Sequence, residues 1–71
     1  MTYDVNMVGP NLQAKRLAMG LTQEKFGEVL GISGGMVRQY EGCWKTPSLA
    51  AAIYFASVLG MTMDELVGCP K

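Results

Sequence analysis

The feature that most restricts what this chain can fold into is its punctuation: a glycine, then within two residues a threonine or serine, recurring along its length. Glycine adopts the left-handed conformation that closes an α-helix, and a hydroxyl oxygen accepts a hydrogen bond from a free N–H at the start of the next one. Pro10 is suited to the first position of a helix running to about Met19, which Gly20 ends. Thr22 caps a second helix, with Glu24 near its positive dipole end, and that helix reaches Leu30 and stops at Gly31. Ser33 caps a third helix to about Glu41, followed by a loop from Gly42 to Lys45. Thr46 as cap and Pro47 as opening residue predict a fourth helix ending at Gly60. Thr62-x-x-Glu65 is a capping box for a short fifth helix, ended by Gly68 and Pro70.

The apolar spacing agrees. Phe26, Val29 and Leu30 share one face of the second helix, and Val37 and Tyr40 one face of the third. Leu49, Ala52, Phe55, Ala56 and Leu59 follow the three-and-four step on the fourth. No segment alternates with a period of two between hairpin signals. Five short helices with tight connections predict an all-α, compact five-helix domain.

A chain of 71 residues has room for one domain. We expect residues 1–9 to be an N-terminal tail and residues 10–68 to be the helical domain. At this size the net stability is on the order of 3–5 kcal/mol. An apolar fraction of 49% argues against disorder. The absence of histidine removes the usual general base, Ser–His activation and the commonest metal ligand. Cys43 and Cys69 form no disulfide framework and, without histidine, a poor zinc site, so reduced thiols in the cytoplasm are expected. No catalytic constellation can be assembled, and no enzyme activity, cofactor or small-molecule ligand is expected. The first nine residues lack the basic and apolar regions of a signal peptide. The uncharged stretch from Thr46 to Met63 is long enough to raise the question of a membrane span. Pro47, Ser48, Ser57, Gly60 and Thr62 interrupt it, so it reads as a buried or interface helix, and no membrane partner is expected.

The informative stretch is Thr22 to Tyr40. Its two helices are joined only by Gly31-Ile32-Ser33, a turn so short that they must cross steeply, as in a helix-turn-helix. Gly27 supplies the small residue such a crossing needs. Here the chain resembles the phage-repressor and Cro-like family. The likeness covers Leu12 to Leu66: Leu12-x3-Arg16-x3-Gly20-Leu21-Thr22-Gln23, Phe26-Gly27-x3-Gly31-Ile32-Ser33, Val37-x2-Tyr40-Glu41, Pro47, and Ala56-x2-Leu59-Gly60-Met61-Thr62-Met63-Asp64-Glu65-Leu66. The resemblance implies a lambda-repressor-like domain whose third helix enters the major groove of double-stranded DNA. It also implies a largely buried ion pair between Arg16 and Glu41, and a phosphate contact from Gln23.

On this reading Gln39 and Arg38, on the outward face of the third helix, are the base-reading side chains. Gly34 and Gly35 stand where the family presents its main readers; they expose bare backbone for close approach to the bases and leave discrimination to Arg38, Gln39 and DNA shape. Lys25, Lys45 and Ser33 are expected at phosphates beside Gln23, with Lys15 also near the DNA side. The family usually has glycine two residues after the buried glutamate, whereas here Gly42 comes one residue early and Cys43 takes that place. Trp44 is unusual in so polar a loop; it fits the DNA backbone, a second subunit or its own domain. The fourth helix carries more apolar residues than one stripe needs, which predicts a homodimer interface at Tyr54, Val58, Met61 and Trp44. The function expected is a sequence-specific, repressor-like transcription regulator. The competing reading is a helix-turn-helix scaffold for protein–protein interaction, favoured by the zero net charge and by Gly34-Gly35.

Overall fold

The computed structural model describes residues 5–68, so that Cys69 and the helix-ending role assigned to Pro70 lie outside it. A 3-10 turn, Val5–Met7, leads into α1 (Val8–Ala18), α2 (Gln23–Leu30), α3 (Gly34–Glu41), α4 (Leu49–Leu59) and α5 (Met63–Val67). Three of the turns share one construction: Gly20-Leu21-Thr22, Gly31-Ile32-Ser33 and Gly60-Met61-Thr62. The glycines have φ of +70°, +74° and +66°. The next amide donates back to the helix just ended: Leu21 to Arg16 O at 3.2 Å, Ile32 to Gly27 O at 2.9 Å, Met61 to Ala56 O at 2.8 Å. These bonds satisfy carbonyls that would otherwise be orphaned, while the apolar side chains of Leu21, Ile32 and Met61 turn onto the core. The hydroxyls of Thr22, Ser33 and Thr62 then cap the following helices by accepting from the amides of Lys25, Met36 and Glu65. In the capping box of α5 the Glu65 carboxylate accepts the Thr62 N–H at 3.0 Å.

Two helix starts differ from expectation. α1 begins at Val8, so Pro10 is its third residue rather than its first. Amides of the first turn have no partner within the helix, so proline there forfeits no bond. Val8 is buried, and a side chain on buried Gly9 would run into the Tyr40 carbonyl, so α1 crosses α3 at this point. Val8 and Gly9 are therefore packed with the helices that follow. α4 begins at Leu49: Ser48, not Thr46, is the cap, accepting the Ala51 N–H at 3.1 Å, and Pro47 is buried ahead of the helix. Among the described residues no helix is long and apolar enough to cross a membrane.

The core gathers Val8 and Leu12 from α1, Phe26 and Leu30 from α2, Val37 and Tyr40 from α3, Ala52, Phe55, Ala56 and Leu59 from α4, and Leu66 from α5. The rings of Tyr40 and Phe55 meet at 5.9 Å with a 60° tilt. α1 packs on α3 and α5, and α2 on α3 and α4. Asn11 ties α1 to the end of α5 by donating its Nδ2 to the carbonyls of Leu66 at 2.6 Å and Gly68 at 3.1 Å. Val29 and Leu49, expected inside, are 38% and 71% exposed and lie just off the edges of their buried stripes. The surplus apolar residues of α4, Ile53, Tyr54 and Val58, are likewise at the surface.

Candidate nucleic-acid interface

α2 and α3 pack closely because two glycines face the contact. A Cβ on Gly27 would lie 2.5 Å from Ile32 O and 3.1 Å from Gly34 N. One on Gly34 would lie 3.1 Å from Glu24 Cα and 3.0 Å from its carboxylate. Gly34 is thus pressed against α2, and of the two glycines opening α3 only Gly35 faces open space, with Ser33 Oγ at 3.8 Å as its nearest neighbour.

Val37 and Tyr40 anchor α3 in the core, so Gly35, Arg38, Gln39 and Gly42 form an exposed ridge at the three-and-four spacing of one helix face. Behind it lies a polar network. Arg16 Nε donates to Glu41 Oε2 at 2.7 Å and Nη2 to Oε1 at 3.0 Å, while Nη1 donates to Leu21 O at 2.9 Å. Their side chains are only 12% and 3% exposed. The Glu41 hydrogen bond raises the Arg16 pKa above its ordinary value against the opposing effect of burial, so the guanidinium stays charged. Gln23 Nε2 also donates to Glu41, at 3.2 Å, and its Oε1 accepts from Arg38 Nε at 3.5 Å. Gln23 is therefore half-buried and oriented by the ion pair rather than freely solvated. One hydrogen of its amide nitrogen is committed inward and the second remains available.

The other expected contact residues fall in different settings. Lys25 is exposed and 3.4 Å from Glu28 on its own helix. Ser33 is exposed, its oxygen engaged as the α3 cap. Lys45 is exposed in the loop after α3. Lys15 instead stands toward α5: the Thr62 backbone N–H is the main cause that lowers the Glu65 pKa, and the Lys15 charge adds to it. Tyr54 and Val58 are exposed on α4, whereas Met61 is half-buried against the core. Trp44 does not join them. Its ring lies against Gly42, at the C-terminal end of α3, whereas the Tyr54 hydroxyl lies by Gly31, ahead of the N-terminal end.

The loop after α3 holds a feature that spacing alone concealed. Cys43 has φ +61°, the single non-glycine residue in the left-handed region among those described. Its N–H donates to Tyr40 O at 3.1 Å and that of Trp44 to Gln39 O at 2.9 Å. This paired closure of a helix end is the one made at Gly20 and at Gly60. Gly42, one residue early, has an ordinary φ of −82°. The position two residues after Glu41, where the sequence resemblance expects glycine, thus has the left-handed conformation glycine favours, with cysteine in it.

Comparison with solved structures finds the crystal structure of the P22 c2 repressor protein in complex with the synthetic operator 9T in the presence of Tl+. It is similar with a TM-score of 0.76 and 21% identity, over 87% of this chain and 94% of that one. A search of curated protein sequences returns no significant match. A profile of the helix-turn-helix family matches residues 12–66, from the first core leucine of α1 to the buried leucine of α5. The chain belongs to the helix-turn-helix family.

Proposed function

We propose that this protein is a sequence-specific DNA-binding transcription regulator of the repressor type, non-enzymatic and cytoplasmic, with α3 lying in the major groove. The observation that carries the reading is the exposed ridge of α3. It presents Arg38 and Gln39 outward, anchored from behind by Val37 and Tyr40. Glutamine can pair with adenine and arginine with guanine through two hydrogen bonds each. Gly35 lets the helix approach the base edges closely, and Gly34 lets α2 and α3 close on one another beside them. Gln23, Lys25, Ser33 and Lys45 contact phosphates, which set register and carry no sequence information. The packed unit through residue 68 serves as one DNA-binding domain. Two copies meet through the apolar surface of α4 at Tyr54 and Val58 with Met61 at its border, placing their α3 helices about 34 Å apart, one DNA turn.

The test is a labelled random duplex titrated by anisotropy across a salt series, followed by selection of a preferred site. The expected result is binding whose logarithm falls linearly with log salt, and a selected site bound about a thousand-fold tighter than random sequence. Absence of binding to any duplex at low salt would leave protein–protein interaction as the better reading. Sedimentation with and without a palindromic site tests the dimer.

A further inference from the structure

We propose that Trp44 is a DNA contact in its own right, an aromatic plate mounted at the end of the reading helix and seated against the sugar–phosphate backbone. The proposal rests on the reading of α3 as the DNA-facing helix. Trp44 is 87% exposed, more than any other large apolar side chain among the described residues. Exposed side chains in loops are ordinarily mobile, but this one is fixed at its base. Its amide donates to the carbonyl of Gln39 at 2.9 Å, and the next amide, of Lys45, reaches the same oxygen at 3.3 Å. The left-handed Cys43 turns the chain back to make these bonds. The indole then lies over Gly42: a Cβ there would stand 2.6 Å from Cδ1 and 2.8 Å from Nε1. Gly42 is the last position of the exposed ridge that holds Gly35, Arg38 and Gln39. The ring is thus a continuation of that ridge.

The surroundings specify the partner. Lys45 follows directly and Arg38 lies one helical turn before Gly42, while no acidic residue occurs from Gly42 through Met63. Glu41, the nearest acid in sequence, is neutralised by Arg16. An apolar plate between two cations suits a polyanion with apolar sugars. The indole N–H, a donor only, meets a phosphate oxygen while the ring face covers deoxyribose. Such a contact reads no base, so it should strengthen binding to every duplex alike. Because the indole is uncharged, it should do so without altering the salt dependence.

Trp44 is the single tryptophan of the chain, so its fluorescence reports on this contact alone. The experiment titrates full-length protein with a dye-labelled random duplex, following anisotropy for binding and acrylamide quenching of the indole for its exposure. It then repeats the anisotropy with Trp44→Ala and Trp44→Phe across a salt series. We expect quenching to fall several-fold as the duplex saturates. Trp44→Ala should bind selected and scrambled duplexes about ten-fold more weakly with an unchanged salt slope, and Trp44→Phe should fall between. If anisotropy rises while quenching does not move, DNA binds and the placement of Trp44 is wrong. If quenching falls with protein concentration before DNA is added, Trp44 belongs to a subunit interface, and the proposal is overturned in favour of that. If anisotropy never rises, the DNA reading itself fails and takes this contact with it.

Discussion

The two glycines that open α3 separate fold from function most cleanly. Glycine costs a helix about 0.5–1 kcal/mol relative to alanine through lost backbone entropy. At Gly35 a methyl group meets nothing nearer than Ser33 Oγ at 3.8 Å, so Gly35→Ala should recover that cost in full. For a domain of this size, 1 kcal/mol is worth about 4–8 °C in Tm, and the expected rise is about 2–8 °C. At Gly34 the same methyl meets the Glu24 carboxylate at 3.0 Å and its Cα at 3.1 Å. The side chain can swing away but the backbone cannot, so Gly34→Ala should gain nothing or lose stability. Thermal melts by circular dichroism measure this difference. Binding should run the other way: on the proposed reading the added methyl of Gly35→Ala stands between the helix and the bases. It should weaken binding to a selected site about ten-fold, roughly 1.4 kcal/mol. A Gly35→Ala protein that is both more stable and fully competent for DNA would refute close approach at that residue. Equal stabilisation by the two substitutions would refute the packing of Gly34 on Glu24.

Three further sets of substitutions probe separate links. Glu41→Ala strands the Arg16 guanidinium and should cost about 3–5 kcal/mol, comparable to the whole stability, and Arg16→Ala should act similarly, whereas exposed Gln39→Ala should leave the melting curve within about 0.5 kcal/mol. Urea titrations of the three compare them, and equal small shifts would mean the register of α3 is misread. Cys43→Gly relieves a left-handed cysteine and should stabilise by about 0.5–1 kcal/mol, while Cys43→Ala, which keeps the Cβ, should not; a Cys43→Gly melting temperature no higher than that of Cys43→Ala would count against this. In DNA binding, Lys45→Ala should weaken all duplexes alike and lower the salt slope by about one, whereas Gln39→Ala should cost about 1–3 kcal/mol at one base position and spare random sequence. Titrating each variant with a selected and a scrambled duplex across salt separates them, and a Gln39→Ala protein unchanged on both would remove α3 as the reader.

What was legible in the sequence is what local chemistry decides. Gly31 and Ser33 end one helix and cap the next through their own backbone and side chain, without reference to distant residues. The start of α1 carries no such mark: Met7 makes no side-chain cap bond, and Pro10 is tolerated anywhere in the first turn. At the start of α4 three consecutive residues, Thr46, Pro47 and Ser48, can each serve, and the burial of Pro47 selects Ser48. Periodicity finds the buried faces but not their edges, and so puts Val29 and Leu49 inside, where the structure has them exposed. In the candidate site, Gln23 is legible as the residue that opens α2 and, by resemblance, as a phosphate contact, but not as a partner of Glu41. Its bond to Glu41 depends on an ion pair that closes across 25 residues of sequence. Gly34 and Gly35 look equivalent as letters, and only the position of Glu24 tells them apart.

The zero net charge is compatible with DNA binding because of where the charges stand. Six acids balance six bases, but they do not cancel uniformly along α3. Glu41 is matched by Arg16, and Lys25 lies beside Glu28. Glu65, with Lys15 acting on it, is in the capping box of α5, and Asp64 stands next to it on the same helix. What remains along the ridge is graded. Glu24 lies beside Gly34 at the N-terminal end, while Arg38 and Lys45 lie toward the C-terminal end, with no acidic side chain in an ion pair with either among the described residues. Eight helical residues span about 12 Å, a little more than the screening length of about 10 Å at 0.1 M salt, so a docked polyanion responds to the two ends separately. On the proposed reading it is drawn in most strongly where the cations stand, and the close approach that Gly35 permits is made against the Glu24 charge. The side chains of the ridge, Arg38 and Gln39, stand between bare Gly35 and Gly42. On the proposed reading, discrimination between bases therefore falls to the turn that bears Arg38 and Gln39, while Gly35 contributes only the close approach of bare backbone.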